Sequence, residues 1–211
     1  MTSAYNQLKS LPEVFTLNTL SSLTGGDSNK ASVYVSRWKQ MGLIEPMGPK
    51  LGVYFNLVKN PDSRQDHIMQ AIKMLYPDAV MSGVSVLHSV GWTTQIPQNI
   101  DVNILARRSV PVIPGFDVHC RPKSWYVTCQ PYISQSGFAK LKPEMALADA
   151  WKSKIWRPDP DDLDFDAIDT AKLKKAFSVL GEAYPSYYSE ADIFQKKSNS
   201  KKSTVKNDCS M

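Results

Sequence analysis

On a helical wheel drawn over residues 28–41, Asn29, Lys30, Ser32, Val33, Ser36, Arg37 and Gln40 fall on one side. Ala31, Val35, Trp38 and Met41 fall on the other. Asn, Gln, Arg and Lys are the side chains that pair with base edges in a DNA groove or grip phosphate oxygens. A helix that buries the second set would offer the first set to a duplex. Ser28 stands at its start, and Lys50 lies further on, where a turn could carry it to a neighbouring phosphate. The candidate DNA-contacting residues are therefore Ser28, Asn29, Lys30, Ser32, Ser36, Arg37 and Lys50. The plain alternatives are a solvated helix face, or a face that binds protein.

The flanking residues supply the elements that would position this face. Asp27 or Ser28 can cap the helix, because a short side-chain oxygen accepts an orphan backbone N–H. Gly42 follows the last apolar position, where a left-handed residue ends a helix most easily. Leu43-Ile44 starts a strand, Gly48-Pro49-Lys50 reads as a turn, and residues 52–57 read as the return strand. Upstream, Leu17, Leu20 and Leu23 mark a shorter helix ended by Gly25-Gly26. Helix, turn, helix and hairpin together outline a winged helix-turn-helix.

Other chemistries are less well supported. Asp159, Asp161, Asp162, Asp164, Asp166 and Asp169 crowd one segment. A calcium loop starting at Asp162 would need Gly at its sixth place and Glu at its twelfth, and Ala167 and Leu173 stand there. An acidic linker that caps the next helix is the preferred reading. His119-Cys120 and Cys129 lack a fourth ligand at zinc spacing and fall on alternating strand positions, as structural thiols would. His67 and His88 sit singly on helices. Ser85 has no G-x-S-x-G frame, and Gly48 and Gly52 lack the Lys-Ser/Thr of a phosphate loop. Asp101 could hold a nuclease metal, but no partner set assembles around it. No catalytic residue, metal ligand or cofactor is assigned.

The 211 residues suit one large domain or two small ones, and 42% hydrophobic with 21% charged residues is ordinary for a globular chain. No apolar run approaches the length needed to cross a bilayer. No secretory signal is read at the N-terminus, and three cysteines without framework spacing fit a reducing cytoplasm. The net charge of +5 and pI near 9.0 give mild support to a nucleic-acid partner. Lys196, Lys197, Lys201, Lys202 and Lys206 account for much of that excess.

The expected fold class is α+β, in three parts. Residues 1–59 form the winged helix-turn-helix, residues 60–195 a mixed α/β domain, and residues 196–211 a disordered, Lys-rich tail. Asn60-Pro61-Asp62-Ser63 marks the first break. Ile68, Ala71, Ile72 and Leu75 have helical spacing. Ser82 can cap a helix carrying Val86, Leu87 and Val90. Ile100, Val102 and Ile104 alternate with Asp101 and Asn103, as in a half-buried strand. Phe116-Val118-Cys120 and Trp125-Val127-Cys129 read as two strands joined by a turn at residues 121–124. Pro143 opens a helix carrying Met145, Leu147, Ala150 and Trp151, and residues 170–180 read as another.

The order winged helix, then Pro77 to Trp92 (PDAVMSGVSVLHSVGW), then Thr94-Gln95-Ile96-Pro97 and a strand at Ile100, resembles the AbiEi antitoxins of abortive-infection, type IV toxin–antitoxin systems. Ser85, Leu87, His88, Gly91 and Gln95-Ile96-Pro97 are the most specific part, and the likeness covers roughly residues 12–181. The resemblance implies a winged helix that represses the operon's own promoter, with double-stranded DNA as partner. It also implies a larger domain that counteracts a nucleotidyltransferase-like toxin, typically without a stable complex. It implies no enzymatic activity, no cofactor, no membrane and a cytoplasmic location. Residues 32–39 carry one Arg, where recognition helices of the family are often Arg-rich. Two other readings stand beside it. One is an ordinary winged-helix transcriptional regulator with a ligand-sensing or dimerisation domain. The other is a metal-dependent nuclease using Asp101 or the aspartate segment.

Overall fold

The structure is a computed structural model that describes residues 4–106 and 110–190. The tail expected at 196–211 lies outside the described residues. The fold is α+β, and its contacts divide into two units: Met1–Ala79 with Val110–Pro114, and Val80–Ser109 with Gly115–Met211.

The first unit runs α1 (Ala4–Ser10), β1 (Val14–Thr16), α2 (Leu17–Leu23), α3 (Ser28–Gln40), β2 (Ile44–Pro46), β3 (Val53–Asn56) and α4 (Ser63–Leu75). The strands form an antiparallel sheet in the order β1-β3-β2, with Val14 opposite Phe55 and Ile44 opposite Asn56. Leu8, Leu11, Phe15, Leu20, Ala31, Val35, Trp38 and Ile44 make its core. Local chemistry sets each helix start. Thr16 Oγ1 accepts the Thr19 N–H at 3.1 Å, and Thr19 Oγ1 accepts the Thr16 N–H at 3.4 Å, a reciprocal cap for α2. Asp27 Oδ1 accepts the Lys30 N–H at 2.9 Å and starts α3. Gly42 takes φ +66° just past the end of α3, a conformation that costs glycine no Cβ clash. Buried Asn56 donates Nδ2–H to the Leu8 carbonyl at 2.9 Å, tying the sheet to α1.

The break expected at 59/60 falls inside this unit. Ser63 is buried and donates its hydroxyl to the Glu13 carbonyl at 2.9 Å, which fastens α4 to the lead into β1. His67 of the same helix pairs with Glu13. Polar punctuation at residues 60–63 marks the start of a helix that packs on the same sheet. Met41, assigned above to the buried stripe, is 67% exposed. It is the C-cap residue, where the chain leaves the helix and the wheel no longer applies.

The second unit contains β4 (Val80–Met81), α5 (Gly83–Ser89), β5 (Ile100–Leu105), β6 (Phe116–Arg121), α6 (Lys123–Cys129), β7 (Ile133–Ser134), β8 (Lys140–Leu141), α7 (Pro143–Lys152) and α8 (Thr170–Val179). Its mixed sheet has the order β6-β5-β4-β8-β7, with β5 parallel to β6 and antiparallel to β4. Helices α5, α7 and α8 pack in series. Residues 145–150 of α7 are all buried, so this helix runs through the core.

Two expectations need correction here. Trp125, Val127 and Cys129 do not form a strand, because residues 123–129 are α6. Positions 125 and 129 share a face both at period 2 and at i,i+4 spacing, so alternation could not separate the two. Val127 decides between them, being 69% exposed while Trp125 and Cys129 are buried. Likewise β5 is not half-buried. Its Asp101 and Asn103 are buried along with Val102 and Ile104, because the strand is interior to the sheet and its polar residues find protein partners.

The aspartate segment does a structural job. Leu163, Phe165 and Ile168 are buried between exposed Asp164, Asp166 and Asp169, so the carboxylates are the outer side of a core-anchored strap. Asp169 caps α8 by accepting the N–H groups of Ala171 and Lys172, both at 3.1 Å. The Lys172 backbone N–H, foremost, and its ammonium hold the Asp169 carboxyl below its ordinary pKa.

Candidate functional site

The first unit carries the sequence-designated surface. Ser28, Asn29, Lys30, Ser32, Ser36 and Arg37 are all exposed on α3, while Ala31, Val35 and Trp38 point into the core. Trp38 is 2% exposed and stacks on Tyr34 with ring centroids 5.5 Å apart. The indole thus fixes the rotation of α3 about its axis, and with it the direction of the polar face. Ser32 is partly committed, since its hydroxyl donates to the Ser28 carbonyl at 2.8 Å. Among the described residues the ion pairs engage Arg64, Arg121 and Lys172, His67 and His119 each contact a carboxylate, and Lys30, Arg37 and Lys50 are left out.

Lys50 sits between β2 and β3 in the left-handed region, φ +59°, and is exposed. A groove of about 840 Å3 separates α3 from this hairpin. Ser32, Ser36 and Lys50 line it together, whereas Ser28, Asn29, Lys30 and Arg37 lie on α3 outside it. Two further cations line the groove and were not singled out above, Lys39 and Arg64. Lys39 lies three residues after Ser36 and seven after Ser32, a spacing that places all three on adjoining turns. Arg64 could not be found locally, because it reaches the hairpin from α4. Its guanidinium donates to Glu45 Oε1 at 2.8 Å and to the carbonyls of Pro46 and Met47 at 3.4 and 3.3 Å. It also lies over the Phe55 ring, 5.4 Å from the centroid. These contacts hold the hairpin to α4.

The second unit buries its polar residues in two connected sets. In one, the Asp101 N–H donates to Ser85 Oγ at 2.8 Å, and Asp101 Oδ1 lies 3.2 Å from His119 Nε2. A Cβ on Gly83 would stand 2.8 Å from Asp101 Oδ2, so the helix start can approach the carboxylate only as glycine. The side-chain order is Ser–Asp–His. A hydroxyl is activated by a base beside it, and here the carboxylate separates Ser85 from His119. The set holds α5 to β5. Among the described residues no three His, Cys, Asp or Glu side chains gather as a metal site.

In the other set, Asp149 of α7 is 2% exposed and accepts three donors. They are Trp125 Nε1–H at 2.7 Å, Arg121 Nη2–H at 2.6 Å and Asn103 Nδ2–H at 3.3 Å. Arg121 Nε–H donates in turn to Asn103 Oδ1 at 3.0 Å. One residue from each of β5, β6, α6 and α7 is therefore locked to the others. Burial, with the Asp149 charge adding to it, pushes the nearby Cys129 thiol up to about 12. Sequence reasoning missed this set. Its signal was an aspartate among alanines and leucine at positions 145–150, where an apolar stripe leaves no solvent side.

No family model matches this chain, and no curated protein matches it. A crystal structure of the RV2827C protein from Mycobacterium tuberculosis resembles it with a TM-score of 0.56. That match covers 90% of this chain and 73% of the other, at 14% sequence identity. At that identity, what the two chains are shown to share is a fold.

Proposed function

We propose that this chain is a DNA-binding antitoxin that represses its own operon and counteracts a nucleotidyltransferase-like toxin, in a cytoplasmic setting. In this reading α2 and α3 form the helix-turn-helix, β2 and β3 form the wing, and double-stranded DNA is held by Ser28, Asn29, Lys30, Ser32, Ser36, Arg37 and Lys50. The observation that carries the DNA-binding half is the α3 face. Its apolar side is locked by Trp38, and its polar side stands exposed beside a hairpin tipped by Lys50. Uncommitted Asn, Arg and Lys side chains on one helix face suit direct base contact and phosphate neutralisation. The antitoxin half rests on the sequence likeness of residues 77–97 to AbiEi antitoxins.

The two halves are tested separately. Gel shifts with the DNA upstream of the operon read the first: Arg37→Ala or Lys30→Ala weakens the wild-type shift. Growth rescue by the full chain, co-expressed with the adjacent gene, reads the second. A toxic neighbour that the chain does not rescue contradicts the antitoxin role while leaving repression intact.

A further inference from the structure

A cleft of about 500 Å3 opens beside the Asp149 set, within the second unit. Its size falls in the range of small-molecule sites. The decisive feature is which hydrogen-bonding capacity is already used. Asp149, the acidic residue lining the cleft, already accepts from Trp125, Arg121 and Asn103 and is nearly sealed from solvent. The donors are less committed. Among the described residues Arg121 spends Nε and Nη2 on the protein. Lys152 gives one N–H to the Leu180 carbonyl, which leaves two of an ammonium's three. The hydroxyls of Ser124, Thr128 and Ser153, each able to donate or accept, line the same opening. The apolar lining is made by Leu180, Val179 and the Trp125 ring, over which the Arg121 guanidinium lies at 5.7 Å.

A site whose one carboxylate is already engaged by protein donors, and whose two cations carry further N–H groups, selects a ligand rich in acceptors. A site with one cationic edge and one aromatic-aliphatic wall selects a ligand that is charged at one end only. We infer that this cleft binds a small organic anion, a carboxylate or phosphate monoester on an apolar or aromatic body. The anionic end lies against Arg121 and Lys152, and the body lies against Trp125 and Leu180. The buried set serves as scaffold: a charge pair enclosed in a core adds little stability over an apolar replacement, and here it holds a guanidinium at the rim of a cavity. The inference is independent of DNA binding, since every residue in it belongs to the second unit.

The indole N–H of Trp125 is a built-in reporter, because it lies in the wall and is bonded to Asp149. The full chain, labelled on its five tryptophan indoles, is titrated with benzoate, indole-3-acetate and phenyl phosphate. Benzyl alcohol and benzylamine serve as neutral and cationic counterparts. The Trp125 signal is assigned by its loss in Trp125→Phe. At least one anion moves it saturably, benzyl alcohol binds tenfold or more weakly, and benzylamine leaves it in place. Comparing benzoate with phenyl phosphate separates carboxylate from phosphate ligands. Lys152→Glu, at an exposed position, keeps the dispersed indole spectrum of the folded chain and weakens the anion at least tenfold. An unmoved Trp125 signal with all three acids overturns the inference. So does equal binding of acid and alcohol, or wild-type affinity in Lys152→Glu.

Discussion

The outer face of α3 and the Asp149 set use the same kinds of residue to opposite ends. On α3, Asn29, Lys30, Ser36 and Arg37 stand in solvent. In the second unit, Asn103 and Asp149 are buried, Arg121 lies at the edge of the core, and the three are bonded to one another. A side chain in the first region contributes almost nothing to stability, which leaves it free to meet a partner. In the second region each polar group is needed by its neighbours, because a buried donor or acceptor left alone costs the full desolvation of that group. The two regions should therefore respond to substitution in opposite ways.

The largest effect is expected at Asp149. Asp149→Ala strands the Arg121 charge and the Trp125 and Asn103 donors, and should cost about 3–5 kcal/mol in a urea or thermal melt. A loss below about 1 kcal/mol would show that the set is not cooperative. Trp38→Ala should lose about 3–5 kcal/mol as well, through the cavity it leaves. It should also abolish any DNA binding by freeing the rotation of α3, so it joins the two kinds of behaviour in one residue. Removing the α3 cap with Asp27→Ala should cost roughly 1 kcal/mol. Arg37→Ala should sit within about 0.5 kcal/mol of wild type in the same melts. Its operator affinity should fall by about 1–3 kcal/mol if Arg37 reads a base edge. Equal losses of stability and affinity would erase the contrast between the regions.

Cys129 sharpens the contrast through pH. Burial raises its folded pKa to about 12, against an ordinary value of 9.0. A group raised on folding stabilises the native state below the unfolded pKa and loses that contribution as pH climbs towards the folded one. Stability should therefore decline between pH 9 and 12, and Cys129→Ala should flatten part of that decline in pH-dependent melts. An unchanged alkaline limb would show that the thiol does not ionise on unfolding there.

How much of this was legible in the sequence follows from what one residue's neighbours can reveal. α2, α3, the turn at Gly48-Pro49-Lys50 and the helices after Pro143 and Asp169 all announce themselves. Caps, glycines and 3.6-residue spacing act over a few positions, so a linear reading finds them. The rest depends on distant partners. Nothing beside Asp101 or Asn103 tells a solvated strand face from a buried polar row, because the answer lies in Ser85, His119, Arg121 and Asp149. Arg64 looks like any helix arginine until α4 is folded against the hairpin. Trp125-Val127-Cys129 misled because two periods coincide over five residues. The two-residue strands β4, β7 and β8 are too short to show any period. For the candidate site, the α3 face and Lys50 were readable, while Lys39 and Arg64 needed the groove to be seen.

The central claim is that the outer face of α3 and the hairpin tip together hold a DNA duplex. The most direct measurement is the affinity of the full chain for its upstream operon DNA as a function of salt, for wild type, Lys30→Ala and Lys50→Ala. If each lysine meets a phosphate, log affinity against log salt is steep for wild type and each variant lowers the slope by about 1, with affinity reduced alike on specific and unrelated DNA. Three superimposable lines, or no binding by the wild type at low salt, would contradict it.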